Sequence, residues 1–206
     1  MSDKWFVVFM RWIMECEGGV RCTNADEEEL AAAFDLNRRK MYSEDKADRG
    51  GSTLCGVTLT TYRQHRPHAT STDLRNIPFG EWKEILWTDY WKAMRCTQIW
   101  PSVALSLADF GFNSGPARAV RYLQITLNNV VPTCSLKVDG KIGFMTCRAI
   151  AALDARQQLA VVEDYNERRR VFIRRSVTAG GIHRKYLAGL LNRTKRVSCL
   201  SKKFIG

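Results

Sequence analysis

The run Trp5-Phe6-Val7-Val8-Phe9-Met10-Arg11-Trp12-Ile13-Met14 constrains this chain more than any other segment. With Lys4, Arg11 and Glu15 its only strong polar interruptions, residues 4–16 are apolar nearly all round, and a helix of that kind belongs in an interior. Gly18-Gly19 comes at once after it and is a strong stop signal, which places Glu17 in the last turn of a buried helix. Unpaired carbonyls at that end put partial negative charge beside the carboxylate. Partial burial acts in the same sense, and together they favour the neutral acid. A carboxylic acid held protonated near neutral pH is what general-acid chemistry needs. Taken alone, Glu-Gly-Gly is more often a frayed surface glutamate, so the downstream sequence decides its weight.

Downstream stands Asp45-Lys46-Ala47-Asp48-Arg49-Gly50-Gly51-Ser52-Thr53-Leu54-Cys55-Gly56-Val57-Thr58, turn residues first and then residues with strand preference. The expected structure is a loop leading into a short hairpin. Between the glutamate and this turn, Val20 to Glu44 reads as an inserted helix. Asn24 is the candidate cap, Asp26 to Glu29 an acidic start, and Arg38-Arg39-Lys40 a basic end. Further helices are expected from Phe79 through Trp91, over Val103–Phe112, Ala117–Leu127, Phe144–Leu153, Leu159–Val177 and Lys185–Arg196. Val103–Phe112 is almost wholly apolar apart from Asp109 and should be the buried central helix. The class is mainly α with one small β element.

At 206 residues and 45% hydrophobic content the chain can bury a proper core. No apolar run is long enough to span a bilayer. Arg11 and Glu15 break the N-terminal run, and no small-residue cleavage site comes after it, so synthesis in the cytoplasm without a signal peptide is expected. The seven cysteines are scattered, with no Cys-x-x-Cys, which suits a reducing compartment and argues against zinc. His65 and His68 lack a completing ligand set, so no metal is expected. The net charge of +11, concentrated late in the chain, favours polyanionic partners. No helix-turn-helix, RNP or zinc motif accompanies it, so nucleic acid is not expected.

Glu17-Gly18-Gly19 followed by Asp45-x-x-Asp48-x-Gly50-Gly51-x-Thr53-x-x-Gly56-Val57-Thr58 resembles the signature of glycoside hydrolase family 108. The resemblance continues in Tyr90-Trp91, Asp109-Phe110-Gly111-Phe112-Asn113-Ser114-Gly115, Leu123-Gln124 and Asp139-Gly140-x-x-Gly143-x-x-Thr146, and ends at Gly189-x-x-Asn192-Arg193. It implies a lysozyme-like α+β fold and an N-acetylmuramidase of phages and prophages. On this reading residues 1–95 are the catalytic region, with the inserted helix at about 20–44. Residues 96–206 are a helical region resembling a predicted peptidoglycan-binding domain, packed with the first as one globular unit. Val20 and Leu190 stand where the family usually has aromatic residues.

The resemblance implies Glu17 as catalytic acid. Glycosidases usually pair such an acid with a second carboxylate, for which Asp48 is the first choice and Asp45 the second, although Asp-x-x-Asp in a turn is as readily a local capping device. Thr53 is a candidate for orienting water or the anomeric centre, with a plain hairpin threonine as the alternative. Gly50 and Gly51 let a sugar chain pass close to backbone. Thr58, Trp91 and Asn113 complete the candidate substrate contacts. Trp91 is as readily a core residue. Asp109 and Asn113 either line a cleft floor from one helical face or, as the expected outcome, serve the interior, with Asp109 paired to an arginine. No cofactor is implied. The expected partners are bacterial peptidoglycan and a holin-like export route, for a monomeric enzyme acting at the cell wall. A peptidoglycan-binding protein of the same fold without catalysis is the main alternative, and a basic nucleic-acid-binding protein a weaker one.

Overall fold

The structure, a computed structural model, describes residues 3–44 and 51–206. It is mainly α with one three-stranded antiparallel sheet among the described residues, as expected for the lysozyme-like α+β class. The chain divides into two compact units, Met1–Asp89 and Tyr90–Gly206. It passes from one to the other inside a π-helical segment, Leu86–Lys92.

In the first unit, α1 (Lys4–Gly18) buries Phe6, Phe9, Met10, Trp12, Ile13 and Met14, as its apolar circumference demands. The Asp3 carboxylate caps its start by accepting the Trp5 N–H at 2.9 Å. Gly19, in left-handed conformation, ends it. The inserted segment is indeed a helix, α2 (Glu27–Met41), but Asn24 is not its cap. Asn24 sits at φ 59 in a turn, and Asp26, with extended backbone, forms a capping box with Glu29. Phe34 of α2 packs against Phe79 and Trp82 of α5 (Phe79–Ile85), with ring centroids 5.6 and 5.1 Å apart. An ion pair between Glu27 and Lys83 supports the same junction. The expected helix from Phe79 through Trp91 is therefore two pieces, α5 and the π-helical segment. Two short helices that the sequence did not announce, α3 (Leu59–His65) and α4 (Ser71–Arg75), lie between the sheet and α5.

The sheet orders β1 (Tyr42–Glu44), β2 (Ser52–Leu54) and β3 (Val57–Thr58), so the expected hairpin gains a third strand directly after α2. Leu54 faces Val57 across a two-residue loop, Cys55-Gly56, in which both residues have positive φ, 43° and 78°. This is the dihedral pattern of a tight hairpin whose twist matches its strands. Cysteine is an unfavourable residue there, and three contacts hold it. Its N–H donates to the Met41 carbonyl at 3.1 Å, its own carbonyl accepts the Trp82 indole N–H at 3.2 Å, and its side chain is fully buried.

In the second unit, α6 (Pro101–Ser114) is buried from Ser102 through Gly111, as its apolar sequence required, and packs against α7 (Pro116–Val130), α9 (Ala155–Thr178) and α10 (Leu187–Lys202). α8 (Phe144–Ala151) precedes α9. One stripe of α6 is polar. Ser102, Ser106 and Asp109 follow the spacing of a single helical face, and each meets a polar residue of α9. Ser102 Oγ donates to Gln158 Oε1 at 3.0 Å. Asn166 Nδ2 donates to Ser106 Oγ at 2.9 Å, and the Ser106 and Ser201 hydroxyls bond at 2.9 Å. Asp109 binds Arg169 at 2.5 Å and Arg193 at 2.7 Å. The α6–α9–α10 core is thus registered by three polar layers, since a shift of one residue would bury every one of these groups unpaired.

Candidate active site

Glu17 is the penultimate residue of α1 and half-buried, where Gly18-Gly19 placed it. Gly19 N–H and Val20 N–H both turn back to the Met14 carbonyl, which fixes the helix end. A Cβ added at Gly18 would lie 2.5 Å from Met41 Sδ and 3.5 Å from Cys55 Sγ. A larger residue beside Glu17 would therefore have to displace the Met41 side chain. Three points of the chain converge here: the end of α1, the end of α2 and the hairpin turn. The excursion from Val20 to Met41 leaves and returns at one place, which is how a whole extra helix is accommodated between Glu17 and the glycine turn.

The register of the sheet organises its hydroxyls. Thr53 pairs with Ser43 on one side and with Thr58 on the other, and directly opposed residues share a face. Ser43, Thr53 and Thr58 therefore form one row on the outer face, while Leu54, Val57 and Ser52 are buried on the other. Thr58 has a structural duty as well. Its Oγ1 accepts the Thr61 N–H at 3.1 Å and caps α3. Gly51 precedes β2 at φ 62. Asp45, Asp48 and Gly50 lie outside the described residues.

Two expected contacts belong to the second unit. Trp91 is fully buried, so neither ring face is offered to a sugar and its role is packing. Asn113 lies near the end of α6, half-buried, and its Oδ1 accepts from Ser114 Oγ at 3.3 Å. Asp109 is paired with arginines in the interior, as the expected outcome for that residue had it. Sequence reading missed two residues of β1. Ser43 extends the hydroxyl row, and Glu44, exposed opposite Ser52, puts a carboxylate on the other face of the sheet. The alternation Tyr42-Ser43-Glu44 was the available signal, but three residues after a basic helix end are too few to announce a strand. Among the described residues no cluster of His, Cys, Asp and Glu could hold a metal ion.

No curated protein matches this chain. Among solved structures it is similar to one described as the structure of Brucella abortus SagA, with 20% identity and a TM-score of 0.67 over 86% of this chain and 96% of that one. That likeness shows the fold. The family evidence comes from sequence: residues 36–115 match the model of glycosyl hydrolase 108. The matched segment starts inside α2 and runs through the sheet to the end of α6, leaving α1 and Glu17 before it. Over residues 36–115, the resemblance read from the glycine turn and the helix that carries Asp109 is thus a match to glycosyl hydrolase 108, a glycosidase family.

Proposed function

We propose that this protein is a peptidoglycan hydrolase, an N-acetylmuramidase that cleaves the β-1,4 bond between N-acetylmuramic acid and N-acetylglucosamine, with Glu17 as general acid. The observation that carries the reading is the convergence at Gly18. It brings the helix end bearing Glu17 to the turn of the hairpin that lies within the glycosyl hydrolase 108 match. In the proposed reaction Glu17 gives its proton to the glycosidic oxygen as the C1–O bond breaks. Positive charge develops at the anomeric carbon, a second carboxylate stabilises it or activates water, and the leaving sugar departs with the Glu17 proton. Asp48, then Asp45, are the proposed second carboxylates. Thr53 and Ser43 supply hydroxyls for sugar or water.

The test is to digest purified peptidoglycan and identify the new end by mass spectrometry. Reducing N-acetylmuramic acid is the expected product. Reducing N-acetylglucosamine would make the enzyme a glucosaminidase, and an anhydro end a lytic transglycosylase. The second reading, a binding protein without catalysis, rests on the extra helix inserted beside Glu17. Intact glycan after prolonged digestion would select it.

The two units differ sharply in charge. Up to Asp89 there are twelve Lys and Arg against fifteen Asp and Glu, a net of −3; from Tyr90 on there are twenty against six, a net of +14. The second unit is proposed as the part that holds the anionic bacterial envelope. Lysis of whole walls should therefore weaken as salt shortens the Debye length to about 8 Å near 0.15 M and below that at higher salt. Hydrolysis of a neutral, soluble chito-oligosaccharide should change little. Equal salt sensitivity on both substrates would refute the division of labour.

A further inference from the structure

The connection from α7 to α8 is a built loop. Gln124 Nε2 donates to Asp139 Oδ1 at 3.0 Å and to the Lys141 carbonyl at 3.1 Å, while its Oε1 accepts the Gly140 N–H at 2.9 Å. Asn128 does the same further along, donating to the Leu136 carbonyl at 2.8 Å and accepting its N–H at 2.7 Å. Asp139 also accepts the Lys141 N–H at 2.9 Å. The Gln124 amide, with that backbone contact, holds the Asp139 carboxyl below its ordinary range. Gly140, at φ 77, lets the loop lie on α7, for a Cβ there would stand 2.7 Å from the Ala117 carbonyl. Both α7 amides and Asp139 Oδ1 are engaged in holding the loop.

The side chains that remain pointing outward are of a different kind. Phe144 is 72% exposed, Met145 61% and Val138 42%. Phe144 and Met145 line an open groove of about 310 Å³ together with Leu136, Lys137, Asp139 and Lys141. Neither lysine forms an ion pair among the described residues. Large apolar side chains left this bare, two at the start of α8 and one in the loop before it, mark a contact surface rather than a folding defect.

We propose that Phe144, Met145 and Val138, with Lys137 and Lys141 beside them, dock the second unit on an anionic lipid bilayer. Two observations select that occupant. Lys137 and Lys141 flank the apolar tip, and the unit as a whole carries +14, so an anionic surface is complementary. A phenyl ring, a thioether and lysine stems are side chains that enter the headgroup region with their charged ends in water. No helix among the described residues is long and apolar enough to cross a membrane, so the contact is peripheral. The reading is independent of the proposed hydrolysis, because it concerns binding by residues of the second unit, whereas Glu17 belongs to the first.

The experiment is sedimentation of the full chain with vesicles of phosphatidylglycerol and phosphatidylcholine in equal parts, and with phosphatidylcholine alone. The wild type should bind the first and not the second. Phe144→Ser with Met145→Ser should weaken binding by at least about tenfold, because apolar burial is lost. Lys137→Gln with Lys141→Gln should weaken it on the order of tenfold through charge. Both pairs are at the surface, and circular dichroism verifies that each variant is folded. Sedimentation with purified sacculi and wall lysis should be unchanged in the apolar variant. Absence of vesicle binding, or binding as tight in the apolar variant as in the wild type, overturns the proposal. So does loss of sacculus binding with vesicle binding intact, which would assign the face to the wall.

Discussion

Glu17→Gln is expected to cut the wall-lytic rate at least about 100-fold while leaving the fold and wall binding in place. Glutamine keeps the shape of the side chain and most of its hydrogen bonding but has no acidic proton to give. General-acid catalysis typically contributes about 10²–10⁴-fold, equivalent to roughly 3–5 kcal/mol of barrier. The substitution changes one charge at a helix C-terminus, an effect of about 0.3–1 kcal/mol, so any change in stability should be small. The measurements are turbidity clearing of a wall suspension, sacculus sedimentation and thermal melting on the same preparation. Clearing at near wild-type speed would remove Glu17 from the mechanism. Lost clearing with a lowered melting point would instead make it a structural residue.

That such a prediction can be written from α1 shows where sequence is most informative. The apolar run and Gly18-Gly19 are local signals, and both the buried helix and the position of Glu17 within it come from them without tertiary knowledge. The same holds for α6, whose interior place is written in its composition. Legibility ends where the deciding contact is distant. Asn24 and Asp26 are chemically equal as caps, and only the left-handed backbone of Asn24 separates them. β1 exists because β2 pairs with it. α3 begins Leu59-Thr60-Thr61, a poor helix former, and forms on the Thr58 cap. Trp91 beside Tyr90 reads equally as a sugar platform or as core, and burial decides. In the candidate site, the helix-end position of Glu17 and the hairpin around Cys55-Gly56 were legible. The meeting of Gly18 with Met41 and Cys55, across an extra helix, was not.

Asp109 tests the opposite case, a carboxylate in a family-like motif whose work is structural. It is fully buried, and its Oδ2 accepts from Arg169 Nη1 at 2.5 Å while its Oδ1 accepts from Arg193 Nε at 2.8 Å. Arg169 is itself fully buried, with its guanidinium 5.1 Å from the centre of the Phe110 ring. Its Nε and Nη2 have no hydrogen-bond partner among the described residues. Two guanidiniums thus share one carboxylate in the interior. Asp109→Asn preserves size but takes away the charge that both require. Removing one partner of a buried ion pair costs about 3–5 kcal/mol, a large part of the roughly 5–15 kcal/mol that stabilises a typical protein. At about 4–8 °C per kcal/mol for a small domain, the melting transition of the second unit should fall by more than about 10 °C. Replacing all three residues by apolar ones, Asp109→Leu with Arg169→Met and Arg193→Met, should recover much of the loss, because the cost lies in the unpaired charge and not in the missing pair. A drop below about 1 kcal/mol for Asp109→Asn, combined with a lytic rate reduced as severely as in Glu17→Gln, would move Asp109 from the core to the chemistry.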